Sequence, residues 1–333
     1  MSLKTIPIFF TFNNDYVVPA AVAFYSLLNK AKEEIFYEMY VLHSDITSEN
    51  QTLLHSIIGR LKKGKLFFID TKNFLKDEWD KGNFDENNQQ TKFTSDTLVR
   101  CFAARFFPQY DKIIYSDVDV VFADDVSELW DIDLKGKYLA TVKNPWMKYC
   151  ENELSHLKPE HYEKLKDHYF AGGIWVMNLI QIRADNLEQK MWDVIRDETI
   201  IKRWNDQDIM NIACDNKVAY IPLNYIAYPY MIQFLEAPSF LSHYTRDELW
   251  DSIINPKIVH YADIKPWKNR VRYGELWWDI FKFLNLPTTS IFEEVKEINP
   301  YKKKYKKYKK LSFILMAVVI VLLLALIGGF LNG

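Results

Sequence analysis

Cysteine is scarce in this chain and unpaired by pattern. Cys101, Cys150 and Cys214 lie far apart among 333 residues and form no Cys-x-x-Cys. Neither a disulfide framework nor a zinc knuckle is encoded, and a reducing compartment fits. The first residues lack the basic stretch and apolar run of a secretory signal, which points to a start in the cytosol. The body also lacks a basic stripe. The formal net charge is −2, and the seven Lys of Tyr301 to Lys310 contribute +7 of it, which leaves −9 on the remaining residues. An acidic body argues against nucleic acid as the partner of the main domain.

What is present is an ordinary globular composition, 49% hydrophobic and 26% charged, with length for one large or two small domains. Aromatic residues are abundant at 10 Trp, 20 Tyr and 22 Phe, which suits stacking on planar or sugar ligands. The stretch Lys112 to Asp125 is the focus of the chain. Ile113, Ile114 and Tyr115 read as the end of a buried strand, and Asp117-Val118-Asp119 interrupts the apolar run before Val120-Val121-Phe122 resumes it. Two carboxylates in a core strand are costly unless neutralised. In an extended chain the Asp-x-Asp pair shares one face, where a divalent cation can sit. A tight turn between two strands is the other reading.

Before this stretch, strand and helix patterns alternate. Ile6 to Phe12, Phe36 to Leu42 and Leu66 to Ile69 have strand character, Val17 to Leu28 has helical spacing, and Thr47-Ser48-Glu49-Asn50 reads as a helix start. The alternation predicts a mostly parallel, helix-covered sheet with ligands at the carboxyl ends of its strands, so the Asn13 to Tyr16 loop and the Asp117 to Asp119 triplet are expected on one edge. Lys72 to Lys92 reads as a long surface loop or a short helix, either a solvated connection or a lid, and Phe93 to Phe107 as a helix carrying Arg100 and Arg105. Further on, Tyr138 to Lys143 and Ile174 to Met177 are strands, the second preceded by Gly172-Gly173, which permits either close ligand approach or a bulge. Asn186 to Trp204 is helical in pattern, Asn205-Asp206-Gln207-Asp208 caps another helix through Ala213, and Tyr225 to Trp250 reads as an irregular, aromatic acceptor wall.

The carboxyl-terminal stretch Leu311 to Leu331 has no charged residue, and its length as a helix would be about 31 Å. A single-pass transmembrane helix is expected over 311–331, after a polybasic linker at 286–310 whose Lys302 to Lys310 bind anionic membrane lipids. That places the large domain, residues 1–285, on the cytoplasmic face of the cell membrane.

In order, these segments resemble retaining glycosyltransferase family 8, over about residues 6 to 270. The resemblance rests on Asn13-Asn14-Asp15-Tyr16, Arg100, Tyr115-Ser116-Asp117-Val118-Asp119-Val120-Val121, Phe170-Ala171-Gly172-Gly173-Ile174, Asp206-Gln207-Asp208 and His260-Tyr261-Ala262-Asp263-Ile264-Lys265-Pro266-Trp267. It implies an α/β fold of the GT-A type, with a mixed, mostly parallel nucleotide-binding sheet flanked by helices. It also implies transfer of glucose or galactose from a uridine diphosphate (UDP) sugar to a lipid-linked or surface glycan.

By the same resemblance Asp117, Asp119 and His260 hold Mn²⁺, or Mg²⁺, and Lys265 adds charge at the leaving diphosphate. Thr11, Asn13 and Tyr16 hold the uracil. Arg100, Val118 and the Gly172-Gly173 backbone approach the donor, and Asp206 and Gln207 are the catalytic pair beneath the sugar. The chain departs from the family at Asn13, where Asp is usual, at Ala171, where Asn is usual, and in a shorter loop between His260 and Lys265. The alternative is a non-catalytic UDP-sugar-binding or scaffolding membrane protein.

Overall fold

The computed structural model describes residues 3–80, 95–144, 154–289, 292 and 296–297. Strands β1 (Lys4–Thr11), β2 (Ile35–His43), β3 (Gly64–Asp70), β4 (Lys112–Ser116), β6 (Leu139–Thr141), β7 (Ile174–Asn178) and β8 (Val218–Tyr220) make a seven-stranded sheet ordered β3-β2-β1-β4-β7-β6-β8. A separate two-stranded ribbon pairs β5 (Val120–Phe122) with β9 (Ile258–His260). In the large sheet β7 alone runs antiparallel to its neighbours β4 and β6. The expected mixed, mostly parallel α/β sheet is what the chain forms.

The period-2 alternation of the strands builds two cores. Ile6, Ile8, Phe10, Ile114 and Val176 face one layer with helices α1 (Val17–Lys30) and α2 (Ser48–Gly59). Phe9, Ile113, Tyr115, Trp175 and Met177 face the other, packed on residues 98–107 and the helices Leu187–Arg196 and Asp206–Cys214. Both faces of the sheet are therefore dry, and its central strands read as continuous apolar runs for that reason.

The antiparallel turn of β7 positions the site. Its amino end lies at the same edge as the carboxyl ends of β1 and β4, with Ser116 opposite Ile174 and the Asp117 N–H donating to the Gly173 carbonyl at 3.0 Å. Asp117-Val118-Asp119 is the bend that carries the chain from β4 in the large sheet to β5 in the ribbon, so the turn reading and the convergent carboxylates describe one feature.

Four expectations change, one being that the helix expected over Asn186 to Trp204 ends at Arg196. The helix expected from Phe93 is, over its described part, three short pieces, with a 3-10 turn at Val99–Phe102 between Ser95–Leu98 and Ala103–Phe106. The stretch from Tyr225 is not irregular: it holds short helical turns and a helix at Arg246–Ile254, which opens on a capping box between Thr245 and Glu248. The carboxyl-terminal anchor is also corrected. Among the described residues no helix is long and apolar enough to cross a membrane. The longest of them, α1, has 14 residues, about 21 Å against the roughly 30 Å of a bilayer core, and its apolar surface is already buried within the protein. The segment 311–331 and the lysines 302–310 lie outside the described residues, as do Cys150 and most of the 72–92 loop. The single-pass anchor and the placement on a membrane face are not carried forward.

Candidate active site

Three carboxylates and three basic side chains, Arg100, His260 and Lys265, meet where β4, β7, β9 and the Asp206–Cys214 helix converge. Arg100, brought inward by the 3-10 turn, is the hub. Its Nε donates to Asp206 Oδ2 at 2.6 Å, and one terminal nitrogen donates to Asp117 Oδ1 at 2.7 Å and to the Tyr115 hydroxyl oxygen at 2.6 Å. Tyr115 in turn donates to Asp117. Burial pushes the Asp206 carboxyl up to about 6, and Arg100 offsets this only in part. One guanidinium shared between two carboxylates neutralises neither fully. At Asp117 burial also opposes charge, but Arg100 and His260 outweigh it and hold the carboxyl below its ordinary value.

His260, the last residue of β9, places Nε2 3.3 Å from both Asp117 Oδ2 and Asp119 Oδ1. One ligand atom from each of the three lies within 4.8 Å of the others. Burial disfavours charge on the imidazole, yet Asp119 and Asp117 carry it up to about 9, so this corner favours a cation. Two hard oxygens and one imidazole nitrogen suit Mn²⁺ or Mg²⁺. Lys265 donates to Asp119 and to the carbonyls of Tyr261 and Ala262 at 2.8 and 2.7 Å. Lys265 and His260 hold Asp119 well below the usual carboxylate range despite its burial.

Two clefts share Arg100, Asp117 and Asp119. One, of about 370 Å³, is further lined by Gly172, Gly173, Gln207, His260, Trp204, Tyr230 and Asp263. The other, of about 290 Å³, runs past Thr11, Asn13, Tyr16 and Val118. The Asn13 to Tyr16 loop and the Asp-x-Asp triplet thus share one edge as expected, and the expected site residues line these two spaces, apart from Asp206, which reaches them through Arg100, and Lys265, which reaches them through Asp119. Asn13 Oδ1 is buried without a hydrogen-bond partner, an acceptor left for a ligand donor. Ala171 is buried and presents no polar side chain, and its carbonyl is taken by Trp175 Nε1 at 2.9 Å. Both glycines line the larger cleft, and at Gly173 a requirement outside the two sequence readings applies, packing within the protein: a Cβ there would stand 2.6 Å from His260 Cε1 and Nδ1.

Several contributors were not singled out from sequence. Asn144 lines the larger cleft beyond the carboxyl end of β6. Tyr228 stacks on Tyr230 with ring centroids 5.6 Å apart, and packs on His260 at 5.7 Å. Tyr230 donates its hydroxyl to Asp263 at 2.8 Å. The aromatic density of the segment after Tyr225 was the available signal for this pair.

The sequence profile described as Glycosyl transferase family 8 matches residues 7–270. The chain belongs to glycosyltransferase family 8. It is 28% identical over 222 residues, 66% of this chain, to a Haemophilus influenzae protein that carries a glycosyltransferase name, and that alignment spans 62% of the relative, under two thirds of its length. It is 24% identical over 314 residues to an Escherichia coli lipopolysaccharide 1,2-glucosyltransferase, covering 91% of this chain and 83% of that one. The solved structure of the galactosyltransferase LgtC, in complex with donor and acceptor sugar analogues, superposes with a TM-score of 0.63 at 18% identity, over 90% of this chain and all of that one. At that identity the likeness establishes the GT-A-like fold.

Proposed function

We propose that this family 8 glycosyltransferase moves glucose or galactose, with retention, from a UDP-sugar to a sugar of a surface glycan or glycolipid. The observation that carries the reading is the convergence, around one cleft, of the Asp117-Asp119-His260 cluster with the Arg100-Asp206 pair and Gln207. Asp117, Asp119 and His260 would hold Mn²⁺, or Mg²⁺, which when bound neutralises the donor diphosphate and stabilises it as a leaving group. Lys265 lies against Asp119 and adds positive charge at that end. The narrower cleft takes the uridine: Asn13 Oδ1, buried and unpartnered, accepts from the uracil N–H, and Tyr16 offers its ring. Arg100, held in place by Asp206, binds sugar hydroxyls, and the Gly172-Gly173 backbone leaves room for the ring.

Trp204, Tyr230 and Asp263 flank the open side and form the acceptor wall, aromatic faces against the apolar face of a hexose and a carboxylate for its hydroxyls. The names of the relatives favour a lipopolysaccharide-type oligosaccharide as acceptor. The test is turnover of UDP-glucose, UDP-galactose and the UDP-N-acetylhexosamines by the purified chain with Mn²⁺, with and without such oligosaccharides. Metal-dependent transfer from one hexose donor, giving an α-linked product by NMR, is expected. Metal-dependent donor binding without transfer to any glycan would leave a binding or scaffolding role instead.

A further inference from the structure

Gln207 sits in the first turn of the Asp206–Cys214 helix and lines the larger cleft. Which end of its amide faces that space decides its effect on a sugar cation: a carbonyl oxygen attracts positive charge and an NH₂ group repels it. Gln207 Nε2 lies 3.4 Å from the Tyr169 hydroxyl oxygen. Oε1 is the atom beside Gly172, where an added Cβ would come within 3.3 Å of it.

The direction is fixed from behind. Tyr169 is buried, and its hydroxyl donates to Asp208 Oδ1 at 2.7 Å. Its single proton is thereby committed, which leaves the oxygen as an acceptor. Asp208 is fully buried, and its other oxygen takes the Trp204 N–H at 2.8 Å and lies 2.9 Å from His156 Nε2. With the Tyr169 proton directed at Asp208, the Tyr169 oxygen pairs with the N–H end of Gln207. The main chain is clamped separately. Asn211 Nδ2 donates to the Gln207 carbonyl at 2.9 Å and to the Phe170 carbonyl at 3.2 Å, while the Phe170 N–H donates to Asn211 Oδ1 at 2.8 Å. Loss of the Tyr169 hydroxyl therefore frees the amide without releasing the helix.

We propose that Tyr169, oriented by Asp208 and His156, is a positioning residue that locks the Gln207 amide with its carbonyl oxygen toward the donor sugar. The consequence for turnover rests on the donor-site reading above; the hydrogen-bond direction does not. Two readouts on the full chain keep them apart. In ¹⁵N spectra, with the Gln207 side-chain amide assigned by its disappearance in Gln207→Glu, Tyr169→Phe should shift that NH₂ pair and speed its exchange with water about tenfold or more. An unchanged pair overturns the lock, whether or not any UDP-hexose is turned over; a moved pair in a chain that turns over no UDP-hexose sinks the donor reading alone. In kinetics, Tyr169→Phe should lower kcat about tenfold to a hundredfold with the donor KM within about twofold. The same change should be silent in a Gln207→Ala background, because its effect passes through that amide. A loss that adds in that background overturns the proposal. If Tyr169→Phe does not accumulate as folded protein, Asp208→Asn reports on the same contact. Its NH₂ donates to the Tyr169 oxygen, returns the phenol proton to Gln207 and turns the amide over, so the pair should lose its protection there too, and retained protection counts against the lock.

Discussion

At Gly173 a single added carbon has nowhere to go. The atoms it would meet belong to the His260 ring, which is held from the far side by Asp117 and Asp119 and from one face by Tyr228. Gly173→Ala is expected to push the imidazole off the two carboxylates, lower Mn²⁺ affinity by about tenfold or more and cost about 1–3 kcal/mol of stability; calorimetric titration with Mn²⁺ and a denaturant midpoint check the two effects, and unchanged Mn²⁺ affinity would remove His260 from the metal set. Asp206 gives a pH signature. With its carboxyl up at about 6, the charge that pairs with Arg100 is lost on acidification through that pH, and kcat should fall about tenfold per unit below it. The stability contribution of the same group has the opposite sense. A raised carboxyl favours the folded state fully below its unfolded value near 4, and this is lost as pH rises through about 6. The acid loss of activity should therefore appear while circular dichroism stays native, and coincident unfolding would assign it elsewhere.

The helix that begins at Asp206 starts from a strained residue. Asn205 has φ +50° and ψ −123°, a conformation natural to glycine, and its side chain makes no capping hydrogen bond. The first turn is held instead by Asp208, which reaches back to the Trp204 N–H. Asn205→Gly should relieve the strain at no loss of capping, raising stability by about 1 kcal/mol and Tm by about 1–3 °C. A scanning calorimetry trace with lowered Tm would mean that the Asn205 amide has a role of its own. The pattern Asn205-Asp206-Gln207-Asp208 does mark a helix start, but it does not say which of its side chains holds the first turn. Which acid caps depends on a contact four residues apart in a distorted turn, and helical spacing does not encode it. The 3-10 turn at Arg100 was hidden for a related reason. Leu98, Val99, Phe102 and Ala103 keep an apolar pattern that α-helix and 3-10 turn both satisfy, and the choice between them follows from tertiary contacts that draw Arg100 onto Asp206 and Asp117.

Across the whole molecule, legibility follows burial. Strands β1, β2 and β4 are covered on both faces, so their apolar runs stand out, and the edge they share was predictable from alternation alone. The antiparallel sense of β7 was not, because neither period nor propensity carries strand direction. The Asp-x-Asp bend and His260, separated by some 140 residues, came together only through motif resemblance, and the Tyr169-Asp208-His156 contacts behind Gln207 carried no local signal at all. The joined clefts make one further behaviour necessary. Because Asp117 and Asp119 line both, a metal at the cluster and a nucleotide in the narrow cleft, bound as proposed above, would share the same carboxylates, and their binding would be coupled. Bare carboxylates repel a diphosphate, whereas a divalent ion reverses the local charge, so Mn²⁺ should tighten UDP binding. By linkage UDP must tighten Mn²⁺ binding by the same factor, of the order of 5–150-fold. Thermal shifts should then be larger for the two ligands together than for the sum of each alone, and Asp119→Ala should abolish that excess while the unliganded protein keeps its fold. Additive shifts in the unaltered chain would mean that the two clefts do not serve one donor, and the assignment of the narrow cleft to uridine would have to be given up.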